Sequence, residues 1–122
     1  KISSPEGYKP KENLINISKG TINVFDDPYE AAKNSDIIIT DVWASMGDEK
    51  ELNKRERDFS SWQVNKKMMS IAKKNCIFMH CLPAHRNKEV TSEVIDGNQS
   101  VVWDEAENRL HTQKALMEYM LT

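Results

Sequence analysis

Ile37-Ile38-Ile39-Thr40 constrains this chain more than any other stretch. A short, continuous, β-branched apolar run suits a strand covered on both faces, and strands of that kind belong to parallel sheets. Cys76-Ile77-Phe78-Met79 repeats the signature, and Ser100-Val101-Val102-Trp103 reads as a further strand. Between the first two, the pattern changes to helical spacing. Ser60 or Ser61 can cap a helix that carries Val64, Met68, Ile71 and Ala72 on one face, and Lys73-Lys74 suits its C-terminal turn. Strands alternating with helices predict an α/β fold, a parallel sheet flanked by helices in a Rossmann-like three-layer arrangement.

The remaining elements fit that scheme. Lys11 to Lys19 reads as a short helix closed by Gly20, and the alternating Thr21-Ile22-Asn23-Val24-Phe25 as a strand. Asp27-Pro28 supplies an N-cap and a proline at the first helical position for a helix over Tyr29 to Lys33. Val90 to Ile95 reads as a short helix ending at Asp96-Gly97. The last segment is amphipathic, with Ala106, Leu110, Met117 and Leu121 on one stripe and Leu116 and Met120 beside it. Asp41 to Asp58 is polar and highly charged; a connection this long inside a compact domain is usually functional, and its charged part reads as a short helix.

Bulk properties remove several function classes. The 122 residues fit one domain, 1–122, with enough chain for one ordinary core. Seventeen basic residues against 19 acidic ones are spread along the chain without a basic stripe, which argues against nucleic acid. The longest apolar run, Cys76 to Met79, is four residues, far short of a membrane span, and Lys1-Ile2-Ser3-Ser4-Pro5 has no signal-peptide core. Cys76 and Cys81 lie along one strand and its exit, too far apart to bridge at about 3.3 Å per residue. Two unpaired thiols suit a reducing compartment, so a cytoplasmic location is expected. The opening, without Met and rich in Pro, Gly and Lys, reads as the interior of a longer protein.

In an open parallel sheet, ligands bind outside the carboxyl ends of the strands. That rule selects Asp41 with Ser45-Met46-Gly47, then His80-Cys81-Leu82-Pro83, then Trp103-Asp104-Glu105 followed by Asn108-Arg109. A carboxylate, a thiol and a guanidinium on one rim would suit a small zwitterion with an amine at one end and an anion at the other. Singly, each has a plainer explanation. Asp41 can cap a turn, Cys81 can be a small buried hydrophobe, and Arg109 can pair with Glu105 one turn back. His80, His85 and His111 could ligate a metal, but no Cys/His pair falls at zinc-site spacing, and structural roles are favoured.

Taken together, three strings go further. Asp41-Val42-Trp43-Ala44-Ser45-Met46-Gly47, His80-Cys81-Leu82-Pro83-Ala84 and Asp104-Glu105-Ala106-Glu107-Asn108-Arg109-Leu110-His111-Thr112-Gln113-Lys114-Ala115 closely resemble ornithine carbamoyltransferases, in order and at matching spacing over nearly the whole chain. Ser45-Met46-Gly47 separates the ornithine enzymes from the aspartate ones. The resemblance implies the ornithine-binding part of the C-terminal domain of a two-domain transcarbamoylase, trimeric or a multiple of trimers. Such an enzyme moves the carbamoyl group of carbamoyl phosphate to the δ-amine of L-ornithine, giving L-citrulline and phosphate in arginine metabolism, without metal or organic cofactor.

By the same resemblance, Asp41 and Ser45 would hold the α-amino group of ornithine, and the backbone of Met46 its carboxylate. Cys81 would sit by the reacting amine, Cys81 and Leu82 would touch carbamoyl phosphate through main-chain groups, and Arg109 would reach it from the last helix. The amine itself attacks, so Cys81 is not expected to be a covalent nucleophile. The Leu82-Pro83 bond would be cis. The loop bearing Ser45-Met46-Gly47 would close over ornithine. One departure is Asn87-Lys88 where the family has glycine, and asparagine tolerates the left-handed backbone. The family's upstream phosphate loop, its His-Pro-x-Gln segment, the asparagine that grips the ornithine carboxylate and the first strand-helix unit of this domain have no counterpart here. The 122 residues alone are therefore expected to be inactive.

Overall fold

The computed structural model describes residues 1–44 and 51–122. Two parallel pairs of strands form the framework. β1 (Ile2–Ser3) pairs with β2 (Val24–Phe25), and β3 (Ile37–Ile39) pairs with β4 (Ile77–Met79) in the register Ile37↔Ile77, Ile38↔Phe78, Ile39↔Met79. Helices α1 (Glu12–Asn16), α2 (Pro28–Ala32), α3 (Leu52–Asp58), α4 (Lys66–Ile71), α5 (Ser92–Ile95) and α6 (Val102–Leu121) alternate with them, giving the expected parallel sheet with flanking helices.

Local chemistry explains most boundaries. Asp27 caps α2, its side chain accepting from the Tyr29 amide at 2.8 Å, with Pro28 at the first helical position. α4 is capped by Asn65, whose Oδ1 accepts from the Met68 amide at 2.9 Å. This corrects the expectation that Ser60 or Ser61 starts the helix; Ser60–Trp62 is a separate 3₁₀ turn. α1 stops at Asn16, before Gly20. The expected strand over Ser100 to Trp103 shrinks to one parallel bridge, Ser100↔Phe78, with Phe78 N donating to Gln99 O and Val101 N to Phe78 O. Asp104 and Glu105 favour the N-terminal turn of a helix, and α6 starts at Val102.

The core lies between β4 and its helices, where Phe78, Val90 and Val102 are fully buried. β3 departs from expectation. Ile38 is buried, but Ile37 and Ile39 are 48% and 67% exposed, so the run is covered on one face only. Its open side borders a groove that reaches Ser3 of β1, and no hydrogen bond joins the β1–β2 pair to the β3–β4 pair among the described residues. α6 is docked only at its start. Val102 is its one buried residue, and the stripe through Leu110, Met117 and Leu121 faces outward.

Candidate active site

Register places the first two candidate side chains. Ile39 pairs with Met79, so Asp41 and Cys81 each lie two residues beyond the same rung of a parallel ladder. They therefore stand at one level on the carboxyl edge of adjacent strands, pointing to the same side. The Cys81 thiol donates to Asp41 Oδ1 at 3.3 Å, and that oxygen also accepts from the Val42 amide at 2.7 Å. Partial burial of the sulfur and, after it, the Asp41 carboxylate hold the Cys81 thiol above its ordinary pKa. The sulfur is thus a protonated donor here, with Asp41 as its acceptor. Cys76 and Cys81 are both free thiols, as their separation implied.

The third side chain arrives through a helix anchor. Glu105, in the first turn of α6, accepts from the His80 amide at 3.0 Å. One turn on, at i+4, Arg109 shares the face of α6 that Glu105 turns to the strand ends. Cys81, Leu82 and Arg109 line one open cavity of about 810 Å³, with Trp103, Ala106 and Gln113 on its helical wall. Arg86 also borders it, but both its terminal guanidinium nitrogens are held by Asp96. Asp41 lies on the neighbouring groove of about 720 Å³ with Val42, Trp43, Arg55, Phe59 and Trp62. Asp41, Cys81, Leu82 and Arg109 are therefore gathered on one edge. Ser45 and Met46 lie outside the described residues.

The backbone at Cys81-Leu82 is held in an unusual shape. Leu82 has φ +54°, a left-handed conformation that costs a branched residue about 1–2 kcal/mol. Its amide donates to His80 Nδ1 at 2.9 Å, and the Leu82-Pro83 peptide is cis, as the resemblance implied. Asn87 takes φ +65°, the conformation that asparagine tolerates in place of glycine. His80 is fully buried, and its other ring nitrogen lies 3.4 Å from Glu89 Oε1. Glu89, 1% exposed, also accepts from the His85 amide. This support was invisible in the sequence. Glu89 sits in the charged stretch Arg86-Asn87-Lys88-Glu89-Val90, where nothing local marks a buried acid, and Glu105 looked like a partner for Arg109.

Asp41, His80 and Cys81 also group three potential metal-ligand atoms, all within 4.8 Å of one another. Sequence spacing could not show this, because Asp41 comes from a different strand. His80 Nδ1 is already an acceptor for Leu82, and the sulfur is held in its protonated form. A cation would have to displace both arrangements, so the set fits a hydrogen-bonded rim better than a metal centre.

Parallel strand pairs flanked by helices, with a carboxylate, a thiol and a guanidinium beyond the carboxyl ends of β3 and β4, make this edge a candidate small-molecule site of an α/β protein. The model of the aspartate/ornithine carbamoyltransferase Asp/Orn binding domain matches residues 1–120, and the chain belongs to that family. It is 58% identical over 122 residues to an ornithine carbamoyltransferase of Methylobacillus flagellatus, covering 98% of this chain and 40% of that protein. An ornithine carbamoyltransferase of Nitrosococcus oceani is 52% identical over 120 residues, with 98% and 40% covered. The crystal structure of the Burkholderia thailandensis ornithine carbamoyltransferase superposes with a TM-score of 0.81 at 52% identity, covering 96% of this chain and 37% of that one. The chain spans about 40% of the length of these relatives.

Proposed function

We propose that this chain is the ornithine-binding part of an ornithine carbamoyltransferase. The full-length enzyme transfers the carbamoyl group of carbamoyl phosphate to the δ-amine of L-ornithine, giving L-citrulline and phosphate in arginine metabolism. The observation that carries this reading is the Asp41–Cys81 contact at 3.3 Å on the edge that also presents Leu82 and Arg109. Asp41 and Ser45 take the α-amino group, the Met46 backbone the carboxylate, and Cys81 lies by the δ-amine. Cys81 and Leu82 offer main-chain groups to carbamoyl phosphate, and Arg109 offers its guanidinium.

An alkyl ammonium has an ordinary pKa of about 10.4 and must lose a proton before its lone pair can attack. The amine nitrogen then bonds to the carbamoyl carbon, the carbon–oxygen bond to phosphate breaks, and phosphate leaves with the electron pair. Arg109 balances charge that builds on the carbonyl and the departing phosphate, a kind of help that is often the largest catalytic contribution. A protonated Cys81 suits a hydrogen-bonding role beside the amine rather than covalent attack. The full-length protein is read as a cytoplasmic trimer or multiple of trimers; among the described residues no helix is long and apolar enough to cross a membrane.

The test is citrulline formation by the full-length protein, with putrescine and N-acetylornithine as competing amines. Turnover with ornithine as the preferred amine is expected, and none from the 122-residue chain alone. A preference for putrescine or N-acetylornithine would reassign the substrate, and turnover by the short chain would overturn the reading that these residues hold only part of the active site.

A further inference from the structure

Asp41 lies beyond the secure part of its strand. The last ladder bond before it, Thr40 N to Met79 O, is long at 3.4 Å, and its own side chain spends one acceptor on the Val42 amide. Something else must fix the backbone that carries the carboxylate. Two residues on, the Trp43 ring stacks on Phe59, with centroids 6.2 Å apart and planes at 25°, and the Trp43 carbonyl accepts from Arg55 at 3.3 Å. Phe59 and Arg55 belong to α3 and its C-cap, yet α3 buries none of its residues, so it cannot hold its own place by packing.

It is held from the other side. The Tyr8 ring meets Phe59 edge-on at 4.7 Å, and the Tyr8 hydroxyl donates to Asp58 Oδ2 at 2.9 Å, with Lys54 bonded to both. Trp62 meets Phe59 edge-on at 6.4 Å, and its indole N–H donates to Ser3 of β1 at 2.9 Å. All three ring pairs fall in the separation range and orientations that aromatic side chains prefer. Among the described residues, Phe59 is thus the ring common to all three aromatic pairs, between a support rooted at β1 and the segment carrying Asp41.

We propose that Phe59 is a positioning residue for Asp41: through Trp43 it holds the carboxylate at the height of Cys81, with Tyr8 and Trp62 as its backing. The inference rests on the reading of Asp41 as an ornithine contact. Phe59 touches neither substrate in this account. Removing its ring should therefore weaken the hold on ornithine and leave the carbamoyl phosphate end, built on β4 and α6, as it was.

The experiment is steady-state kinetics of the full-length enzyme bearing Phe59→Leu, Phe59→Tyr or Asp41→Asn. Phe59→Leu is expected to raise the ornithine KM roughly tenfold, short of the ~10²-fold that an ångström of misplacement can cost. The carbamoyl phosphate KM should stay within about twofold, and Phe59→Tyr, which keeps the ring, should restore ornithine binding. An unchanged ornithine KM in folded Phe59→Leu would overturn the proposal, as would an equal rise in both KM values, which marks a merely structural role. If Phe59→Leu does not fold, Trp43→Leu decides by the same two constants. Asp41→Asn separates the layers. If it leaves the ornithine KM alone, the reading of Asp41 fails; if it raises that KM while Phe59→Leu does not, only the positioning role fails.

Discussion

Glu89→Ala probes the buried support under Cys81-Leu82. Glu89 is 1% exposed, accepts from the His85 amide and lies 3.4 Å from the fully buried His80 Nε2. Alanine strands the His85 amide and deprives His80 of its facing carboxylate. An unsatisfied buried donor costs about 1–3 kcal/mol, and the His85 amide is the one hydrogen bond lost, because His80 Nε2 has no hydrogen-bond partner even with Glu89 in place. Against this stands the relief of no longer desolvating a carboxylate, which can make loss of a buried charge neutral when apolar groups of matching shape replace the whole pair. Alanine is smaller and leaves the His85 amide without its acceptor, so the loss should win. Arg86→Ala is the control. It breaks an exposed pair with Asp96, for which about 0–1 kcal/mol is expected. Urea unfolding of the full-length protein should show Glu89→Ala destabilised by about 1–3 kcal/mol and Arg86→Ala by under about 1 kcal/mol, while Glu89→Gln, which keeps one oxygen acceptor, falls between. A Glu89→Ala midpoint indistinguishable from that of Arg86→Ala would refute the reasoning.

Asp41→Asn should lower the Cys81 pKa, because the carboxylate contributes to holding the thiol protonated; the pH profile of Cys81 alkylation, followed on its peptide by mass spectrometry, should move to lower pH. A profile that stays in place would show that burial alone sets the pKa. Gly97→Ala should destabilise the protein by about 1–3 kcal/mol in thermal or urea unfolding, since its Cβ would meet the Glu93 carbonyl oxygen at 2.7 Å, a backbone atom that cannot swing aside. Arg109→Ala should raise the carbamoyl phosphate KM of the full-length enzyme more than the ornithine KM, and equal effects would detach Arg109 from the phosphate end.

The parts of the fold that local chemistry dictates were legible in the sequence. Asp27-Pro28 gave the start of α2, and the two β-branched or apolar runs gave β3 and β4 in the right relation. The contact between Asp41 and Cys81 was legible for the same reason: parallel strands put their exits on one edge, so the two could be paired without coordinates. What failed was whatever tertiary partners decide. Ile37-Ile38-Ile39 signals two covered faces, yet one opens on a groove. Ser100 to Trp103 has a strand's composition, but only a single bridge forms before acidic residues start α6. Asn65 caps α4 where two serines looked as suitable. Glu89 could not be found at all, because a buried acid in a charged stretch carries no local mark, and Glu105 was placed near a strand end but not with its partner; only the folded chain brings Glu89 under His80 and Glu105 to its amide.

Protection of the Cys81 thiol in the full-length protein tests the gathered edge most directly, because Cys81 sits between the carboxylate and the guanidinium. Carbamoyl phosphate alone should slow its alkylation, and adding ornithine should slow it further, while in Asp41→Asn the ornithine increment should fall away and the carbamoyl phosphate effect persist. Alkylation at the same rate with either substrate, both or none would mean that neither one binds where Asp41, Cys81 and Arg109 meet.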